Sequence, residues 1–295
     1  MRARALRWWM GALLIGVGDA VLAARPLDPT PTALARAMAG KRIVLLGEVH
    51  DNRVQHALRV AALRLVVQQG ARPALAFEQF DREAQSAIDR SRRERPRDAA
   101  YLIEQARGAP SWNWTLYQPY VELALAFDLP IVAANLSRED AMKVATTTGA
   151  SDAVAMPPAF LAAHEAAIAR GHCDLLPAEA LPAMAGAQIA RDRALAEAIR
   201  PYAARGVVLL TGNGHARLDI GVPHWLAADE RRDALSIGVL ERDAANGAEE
   251  TEPFDAYVLT ERAERDDPCD DLRRRLGGKS STDATPARRP ALPGR

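Results

Sequence analysis

Two short pieces of the type Gly-x-x-His carry side chains that could do acid–base chemistry or bind a metal. They are Gly47-Glu48-Val49-His50 and Gly212-Asn213-Gly214-His215, and each follows a run of apolar residues. An imidazole can act near neutral pH as a general acid, a general base or a metal ligand. The glycines let the backbone turn sharply and approach a ligand closely. One histidine after a strand is usually structural, but two equivalent pieces favour a functional role.

Two further apolar runs are followed by polar residues of the same kind. Glu78 comes after the run at 74–77, and Asn135 comes after the run at 131–134. A carboxylate or imidazole at the end of a buried strand is costly to desolvate unless a partner or a ligand compensates it. We therefore predict one site whose catalytic candidates are Glu48, His50, Glu78, Asn135 and His215.

Part of this set could hold a divalent metal ion. Two histidines with one or two carboxylates form a sensible set of metal ligands: His50, His215, Glu48 and Glu78. The spacing differs from an HExxH helix, and the second piece lacks the Gly-Lys-Ser/Thr ending of a phosphate loop. A metal-dependent hydrolase and a metal-free, esterase-like hydrolase in which His50 or His215 activates water both stay open.

The apolar runs indicate the strands that position these residues. They do not alternate polar and apolar residues, which is typical of parallel strands covered on both faces by helices. The intervening segments predict helices at 55–69, at 119–127 and after Asp81 as a cap. Ligands of open parallel sheets bind outside the carboxyl ends of the strands. The predicted fold is α/β, a mostly parallel sheet sandwiched by helices.

A long gap between the third and fourth strands interrupts this alternation. We predict that it holds a helical insertion, a lid at about 138–203, and that two more strands follow at 235–240 and 257–260. A single domain then covers 24–276. Residues 277–295 are rich in Gly, Ser, Thr, Pro and Arg, and we predict a disordered tail there.

The first 23 residues have the features of a secretory signal peptide. Three arginines precede an apolar segment at 8–17, and small residues precede a cleavage point after Ala23. The apolar segment is too short to span a bilayer comfortably. No cysteine lies near the cleavage point, so we predict a periplasmic protein without a stable membrane anchor. The alternative is an uncut signal anchor.

Charge and cysteine content restrict the partners. The chain has 38 basic and 38 acidic side chains in 295 residues, so its formal net charge is zero. This balance provides no general attraction to nucleic acid, and we predict no nucleic-acid partner. The two cysteines, Cys173 and Cys269, are expected to form a disulfide in an oxidising compartment. Two free thiols are the alternative.

The order and content of the motifs resemble the ChaN family of haem-binding proteins. The matching pieces lie between 43 and 269: Leu45 to Asn52, Phe77 to Asp81, Trp112 to Tyr117, Ala133 to Leu136, His172-Cys173, Leu176-Pro177, Ala187-Gln188, Arg191-Asp192, Gly212 to Arg217 and Asp267 to Cys269. The wider superfamily is similar to the Tiki proteins, described as metal-dependent proteases, and to erythromycin esterases. The resemblance implies an α/β core with a helical lid, one cleft shared by both Gly-x-x-His pieces, and haem as the ligand. Many ChaN members are lipoproteins, whereas this chain lacks the anchoring cysteine.

Haem adds a second group of candidate residues. Haem iron accepts His, Tyr, Met or Cys, and we nominate Tyr117 and His172 as cofactor-binding residues. Arg138 and Arg217 could hold a propionate or substrate carboxylate through paired hydrogen bonds, and Asn213 completes the group. The structural alternatives are core packing for Tyr117, a helix end for His172, and ion pairs with Glu48 or Glu78 for the arginines.

The sequence thus predicts a periplasmic protein that binds haem in haem or iron uptake or handling, with a homodimer left open. The alternative is a metal-dependent hydrolase, peptidase- or esterase-like, that uses His50, His215 and Glu48 or Glu78. The convergent polar groups fit hydrolysis, because a porphyrin needs only one or two ligands. The resemblance favours haem.

Overall fold

The structure of the chain is a computed structural model that describes residues 24–107, 112–147, 156–242 and 253–279. The predicted signal peptide and residues 280–295 of the predicted tail lie outside the described residues. Within the described ranges, no helix has the length and apolarity needed to cross a bilayer.

Seven strands form one sheet. They are β1 (Arg25–Leu27), β2 (Ile43–Leu46), β3 (Ala74–Asp81), β4 (Ile131–Asn135), β5 (Val207–Leu210), β6 (Ala234–Glu241) and β7 (Ala256–Thr260). Their spatial order is β1-β7-β6-β2-β5-β3-β4, and every pairing is parallel. All six predicted strands are present. The unpredicted β1 has three residues, is mostly exposed and pairs with β7 at the sheet edge.

Helices connect the strands and cover the sheet. They are α1 (Pro31–Met38), α2 (Arg53–Gln68), α3 (Gln85–Glu94), α4 (Ala99–Ala106), α5 (Trp114–Ala126), α6 (Arg138–Thr147), α7 (Pro158–Gly171), α8 (Leu181–Ile199), α9 (Asn213–Ala216), α10 (Ala228–Arg232) and α11 (Pro268–Lys279). Short 3-10 turns lie at Arg82–Ala84, Ala178–Ala180, Arg200–Tyr202 and Val222–Trp225. The predicted α/β class is therefore confirmed.

Each buried strand contributes side chains to two cores, one on each face of the sheet. Leu46 of β2 belongs to the core that contains residues of α1 to α5, whereas its neighbour Leu45 belongs to the core that contains Leu195 of α8. Successive side chains of a strand point to opposite faces. Polar residues that follow a strand therefore also divide between the two faces.

Local signals explain where the helices begin. The side chain of Asn52 accepts hydrogen bonds from the backbone N–H groups of Val54 and Gln55, so α2 starts at Arg53, two residues before the predicted start. The prediction that Asp81 caps a helix is wrong. β3 continues to Asp81, a 3-10 turn follows, and the Asp81 side chain makes no cap hydrogen bond.

Helix α5 also begins earlier than predicted, at Trp114, and contains Pro119 in its interior. The five residues before it already form the first turns of α5, which places Tyr117 on the buried side of the helix.

Three helices occupy the predicted insertion. α8 packs against α6, α7 and β4, so these helices cover the β4 side of one sheet face. A disulfide joins Cys173, directly after α7, to Cys269 in α11. α11 includes residues 277–279, which we had assigned to the tail.

We expect removal of this disulfide to destabilise the fold. The Cys173→Ser/Cys269→Ser variant should lose about 2–4 kcal/mol of unfolding free energy, because the bond closes a long loop of the unfolded chain. Urea denaturation without reductant measures the loss. Reductant should lower the unfolding free energy of the wild type to that of the variant and should leave that of the variant unchanged. A wild-type unfolding free energy that does not respond to reductant would contradict the prediction.

Candidate functional site

The predicted site residues lie at the carboxyl ends of three adjacent central strands. Glu48 and His50 follow β2, Glu78 lies near the end of β3, and His215 lies in α9 directly after β5. β5 is inserted between β2 and β3. The chain leaves β2 toward β3 and leaves β5 toward β6, in opposite directions along the sheet. These strand ends therefore lie at a topological switch point, the place where open parallel sheets form a binding crevice.

The Glu48 side chain is held by three groups on the α2–α5 face of the sheet. The Tyr117 hydroxyl donates to Glu48 Oε1 at 2.6 Å, and His50 Nδ1 lies 2.9 Å from the same oxygen. Arg59 of α2 forms an ion pair with Glu48 Oε2, and both side chains are fully buried. Glu48 is therefore a fixed anion that orients His50 through Nδ1.

A second layer of hydrogen bonds holds Arg59 in place. Its Nη2 donates to the Leu46 carbonyl at 2.9 Å, and its Nη1 donates to the Tyr120 hydroxyl at 3.2 Å. The Tyr120 hydroxyl lies 3.2 Å from His56 Nδ1, and His56 Nε2 lies 3.0 Å from the His50 carbonyl oxygen. Burial lowers the pKa of His56, so this imidazole is neutral near pH 7.

Tyr117 is a hydrogen-bond donor and not an anion in this arrangement. Burial raises the pKa of its phenol far above the usual value, against the opposing effect of Arg59. The hydroxyl proton therefore stays on the oxygen and is shared with Glu48.

Glu78 and His215 form a second chain of polar contacts on the lid face. Glu78 Oε2 accepts hydrogen bonds from Thr211 Oγ1 at 2.6 Å and from the Gly212 N–H at 2.8 Å. Glu78 Oε1 lies 3.6 Å from His215 Nε2. On its other side, His215 Nδ1 lies 2.6 Å from Asp192 Oδ1. Because Asp192 belongs to α8, this chain of contacts connects α8 of the predicted lid to the sheet.

The buried charges of this second chain stabilise one another. Burial opposes the charge on His215, but Asp192 and Glu78 outweigh it and raise the pKa of His215 to about 9. Burial likewise opposes ionisation of Glu78, but His215 and His50, with the hydrogen bonds from Thr211 and Gly212, lower its pKa to about 2. At neutral pH Glu78 is therefore a carboxylate and His215 an imidazolium.

The two chains meet at Gly212. A methyl group at this position would lie 2.8 Å from His50 Nε2 and 3.8 Å from Glu78 Oε2, so only glycine lets the His50 ring lie against the backbone here. The His50 side chain is 44% exposed, whereas those of Glu48, Glu78 and His215 are buried. The Trp112 ring meets the His50 ring edge-on, with centroids 4.9 Å apart. His50 is thus the outermost member of the site.

Asn135 is the fifth predicted residue, and it lies on the outer strand β4. Its Nδ2 donates to Asp81 Oδ1 at 2.9 Å, and its buried Oδ1 has no hydrogen-bond partner in the described part of the chain. No hydrogen bond joins it to the other four residues within that part. The structure therefore brings four of the five together and places Asn135 at the side of the crevice.

Two of the predicted cofactor-binding residues make contacts that hold the fold. Asn213 exchanges hydrogen bonds with the backbone of Val239, at 2.7 Å from Nδ2 to the carbonyl and at 3.0 Å from the N–H to Oδ1. Arg217 pairs with Asp219 through Nε at 3.0 Å and Nη2 at 2.8 Å. Among the described residues, the carboxylate that pairs with Arg217 is that of Asp219, and neither Glu48 nor Glu78 takes that place.

The remaining nominated residues, His172 and Arg138, lie on the lid. His172 ends α7 beside the disulfide, and its Nδ1 lies 2.8 Å from the Ile168 carbonyl oxygen. Arg138 is the exposed first residue of α6. Within the described ranges, neither residue forms a hydrogen bond to Glu48, His50, Glu78 or His215.

Sequence reasoning missed Arg59 as a partner of Glu48 and Asp192 as a partner of His215. Both lie on the buried faces of their helices, among Leu58, Ala62 and Leu63 in one case and Ile189 and Ala190 in the other. A charged residue inside an apolar stripe requires a buried partner. That pattern was visible in the sequence and could have identified both residues.

The donor atoms do not form a ready metal site. Among the described residues, no group of three or more His, Cys, Asp or Glu side chains could hold a metal ion. Both carboxylates have protein partners instead: Glu48 is paired with Arg59, and Glu78 accepts hydrogen bonds from Thr211 and Gly212.

Breaking the buried Arg59–Glu48 pair should be strongly destabilising. We expect Arg59→Met to cost about 3–5 kcal/mol of unfolding free energy, because it leaves a buried carboxylate without its cation. Urea denaturation measures this loss. The Arg59→Met/Glu48→Gln double variant should recover more than half of it, whereas additive losses would show that the two residues are not coupled.

The raised pKa of His215 predicts how stability depends on pH. Because its folded pKa is about 9 and its unfolded value is near 6.5, its contribution is complete below pH 6.5 and disappears as pH rises through 9. The wild type should lose about 3 kcal/mol over this range. In urea titrations, the His215→Gln variant should show little of this pH-dependent loss of stability. The His224→Gln variant should show the same loss as the wild type. An unchanged loss in His215→Gln would refute the assignment.

Two comparisons relate the chain to known proteins. Residues 34–226 match the model of a family described as haem-binding uptake, Tiki superfamily, ChaN. No curated protein matches the sequence. The family match spans both Gly-x-x-His pieces and the lid.

A comparison with solved structures relates the fold of the chain to known folds. A structure described as cofacial haem binding to ChaN of Campylobacter jejuni has a TM-score of 0.62 at 18% identity, over 76% of this chain and 89% of that chain. A mutant of the erythromycin esterase EreC in its open conformation has a TM-score of 0.45 at 15% identity, over 83% of this chain and 82% of that chain. The likeness to the first of these supports a shared fold. Since the family match covers more than half of the 295 residues, the chain belongs to the ChaN family of haem-binding uptake proteins in the Tiki superfamily.

Proposed function

We propose that this protein binds haem in the crevice at the carboxyl ends of β2, β5 and β3, with His50 Nε2 as the iron ligand. Membership of the family described as haem-binding uptake supports the ligand. The relative from Campylobacter jejuni is described as binding haem cofacially. The iron of a bound haem would supply a Lewis acid that accepts an imidazole nitrogen.

The state of His50 is the observation that carries the proposal. Nδ1 is 2.9 Å from the Glu48 carboxylate, which fixes the tautomer with the proton on Nδ1 and leaves the lone pair on Nε2, the nitrogen that lies beside Gly212. Nε2 makes no hydrogen bond within the described residues, and the side chain is 44% exposed.

The surroundings of His50 fit a flat aromatic ligand. Trp112 is half-buried and contacts both the His50 ring and the Tyr117 ring, with centroids 4.9 and 5.7 Å apart. It provides an apolar wall beside the His50 ring. The buried Glu48 and Arg59 beneath compensate each other, so the crevice can exclude water without leaving a bare charge.

Tyr117 is a less suitable ligand than His50 in this arrangement. Its side chain is 1% exposed, and its hydroxyl donates to Glu48 at 2.6 Å. Coordination through the Tyr117 oxygen would require this hydrogen bond to break and the phenol to lose a proton that burial holds strongly.

The proposal extends to a role in haem or iron uptake or handling in the periplasm. The family description supports uptake. The Cys173–Cys269 disulfide suits an oxidising compartment, and the composition of the first 23 residues suits export.

The metal-dependent hydrolase has less support. This function requires His50, His215 and a carboxylate to converge on one ion. His215, however, is hydrogen-bonded to Asp192 and paired with Glu78. His50 is hydrogen-bonded to Glu48. The two imidazoles belong to separate chains of contacts.

Titration with hemin tests the proposal. Wild-type protein should shift the Soret band, and His50→Ala should weaken the apparent affinity at least tenfold, because the iron loses its protein ligand. Tyr117→Phe should keep the position of the band. His224→Ala, which removes an exposed histidine stacked on Phe160, is the matched control and should bind like wild type.

Two results would contradict the proposal. If wild-type protein gives no Soret shift, haem binding is refuted. If His50→Ala binds like wild type while Tyr117→Phe changes the band, the iron ligand is Tyr117.

A further inference from the structure

Arg191 of the lid is a half-buried cation without an anionic partner in the described structure, and we propose that it binds a carboxylate group of the ligand in the crevice. This inference rests on the proposed function, because the carboxylates considered are the propionates of haem. It adds Arg191 to the proposed haem site and assigns to it the propionate groups of the ligand. Neither Gly-x-x-His piece provides such a contact.

The position of Arg191 follows from its neighbours. It precedes Asp192, whose Oδ1 lies 2.6 Å from His215 Nδ1. Its positive charge is near enough to oppose protonation of His215 and to favour ionisation of Asp81. Asp81 ends β3 and His215 follows β5, and these two strands are neighbours in the sheet. Arg191 therefore lies above the β5 and β3 strand ends, on the lid side.

The Arg191 guanidinium has unused hydrogen-bonding capacity. Its Nε is buried and has no hydrogen-bond partner among the described residues, and no carboxylate of those residues forms an ion pair with it. The two nearby acids are already engaged, Asp192 with His215 and Asp81 with Asn135. A buried donor without an acceptor is costly, so an acceptor supplied by a ligand would recover this cost.

The arginines chosen from the sequence differ from Arg191 in this respect. Arg217 already forms two hydrogen bonds to Asp219, and Arg138 is exposed at the start of α6. A guanidinium presents donors in a planar fork that matches a carboxylate. With His50 facing the iron, Arg191 would hold the acidic edge of the same ligand from the lid.

The test compares hemin with its dimethyl ester, which keeps the iron and the ring but has no carboxylates. Affinities are measured by Soret titration for wild type, Arg191→Gln, Arg191→Lys and the control Arg193→Gln. Arg193 lies two residues along α8 and stacks over Trp225 at 5.1 Å, away from the proposed contact. Circular dichroism and thermal unfolding confirm that each variant is folded.

Wild type should prefer hemin to the ester, and Arg191→Gln should reduce this preference about tenfold or more, since a hydrogen-bonded charge pair is lost. Affinity for the ester itself should change little. Arg191→Lys should keep part of the preference, because it keeps the charge but not the fork. Arg193→Gln should keep all of it.

The outcomes separate this inference from the proposed function. If wild type binds hemin and Arg191→Gln weakens hemin and the ester equally, or weakens neither, the role of Arg191 is refuted while haem binding stands. If wild type binds neither porphyrin, the proposed function and the inference fail together.

Discussion

The buried ion pair between Glu48 and Arg59 is the interaction on which the site depends. Both side chains are fully buried, at the point where β2 ends and α2 passes beneath it. A carboxylate there would be prohibitively costly without its cation. With the cation present, Glu48 becomes a rigid acceptor that Tyr117 and His50 share. The orientation of the exposed imidazole thus follows from an electrostatic requirement of the core below it.

Two separate sets of polar contacts, one on each face of the sheet, hold the side chains at these strand ends. On the α2–α5 face, Arg59 and Tyr117 hold the Glu48 carboxylate that orients the exposed His50, and Tyr120 holds Arg59. On the lid face, Asp192 and Glu78 hold the buried His215 in its charged form. The faces touch at Gly212, where the absence of a side chain lets His50 lie against the end of β5. His50 is exposed at the strand ends, whereas His215 is buried and joins α8 to the sheet.

Much of this arrangement could be predicted from the sequence, because continuous apolar runs and the polar residues after them are local patterns. They identified six of the seven strands and the convergence of Glu48, His50, Glu78 and His215. β1 was missed because a three-residue edge strand has no apolar run. The apolar stripe around Asp192 indicates that this residue needs a buried partner. The sequence could not show that the partner is His215, since the distance along the chain does not reveal which helix passes over which strand end.

The insertion of β5 between β2 and β3 has a consequence for how the chain reaches its folded state. Residues 207–210 must enter between two strands that were completed more than a hundred residues earlier. Until then, β2 and β3 each have an unpaired edge, and such edges are templates for pairing with other chains. Pairings between distant segments also form slowly. A nascent chain that ends before residue 207 therefore exposes open hydrogen-bonding edges in the middle of its future sheet.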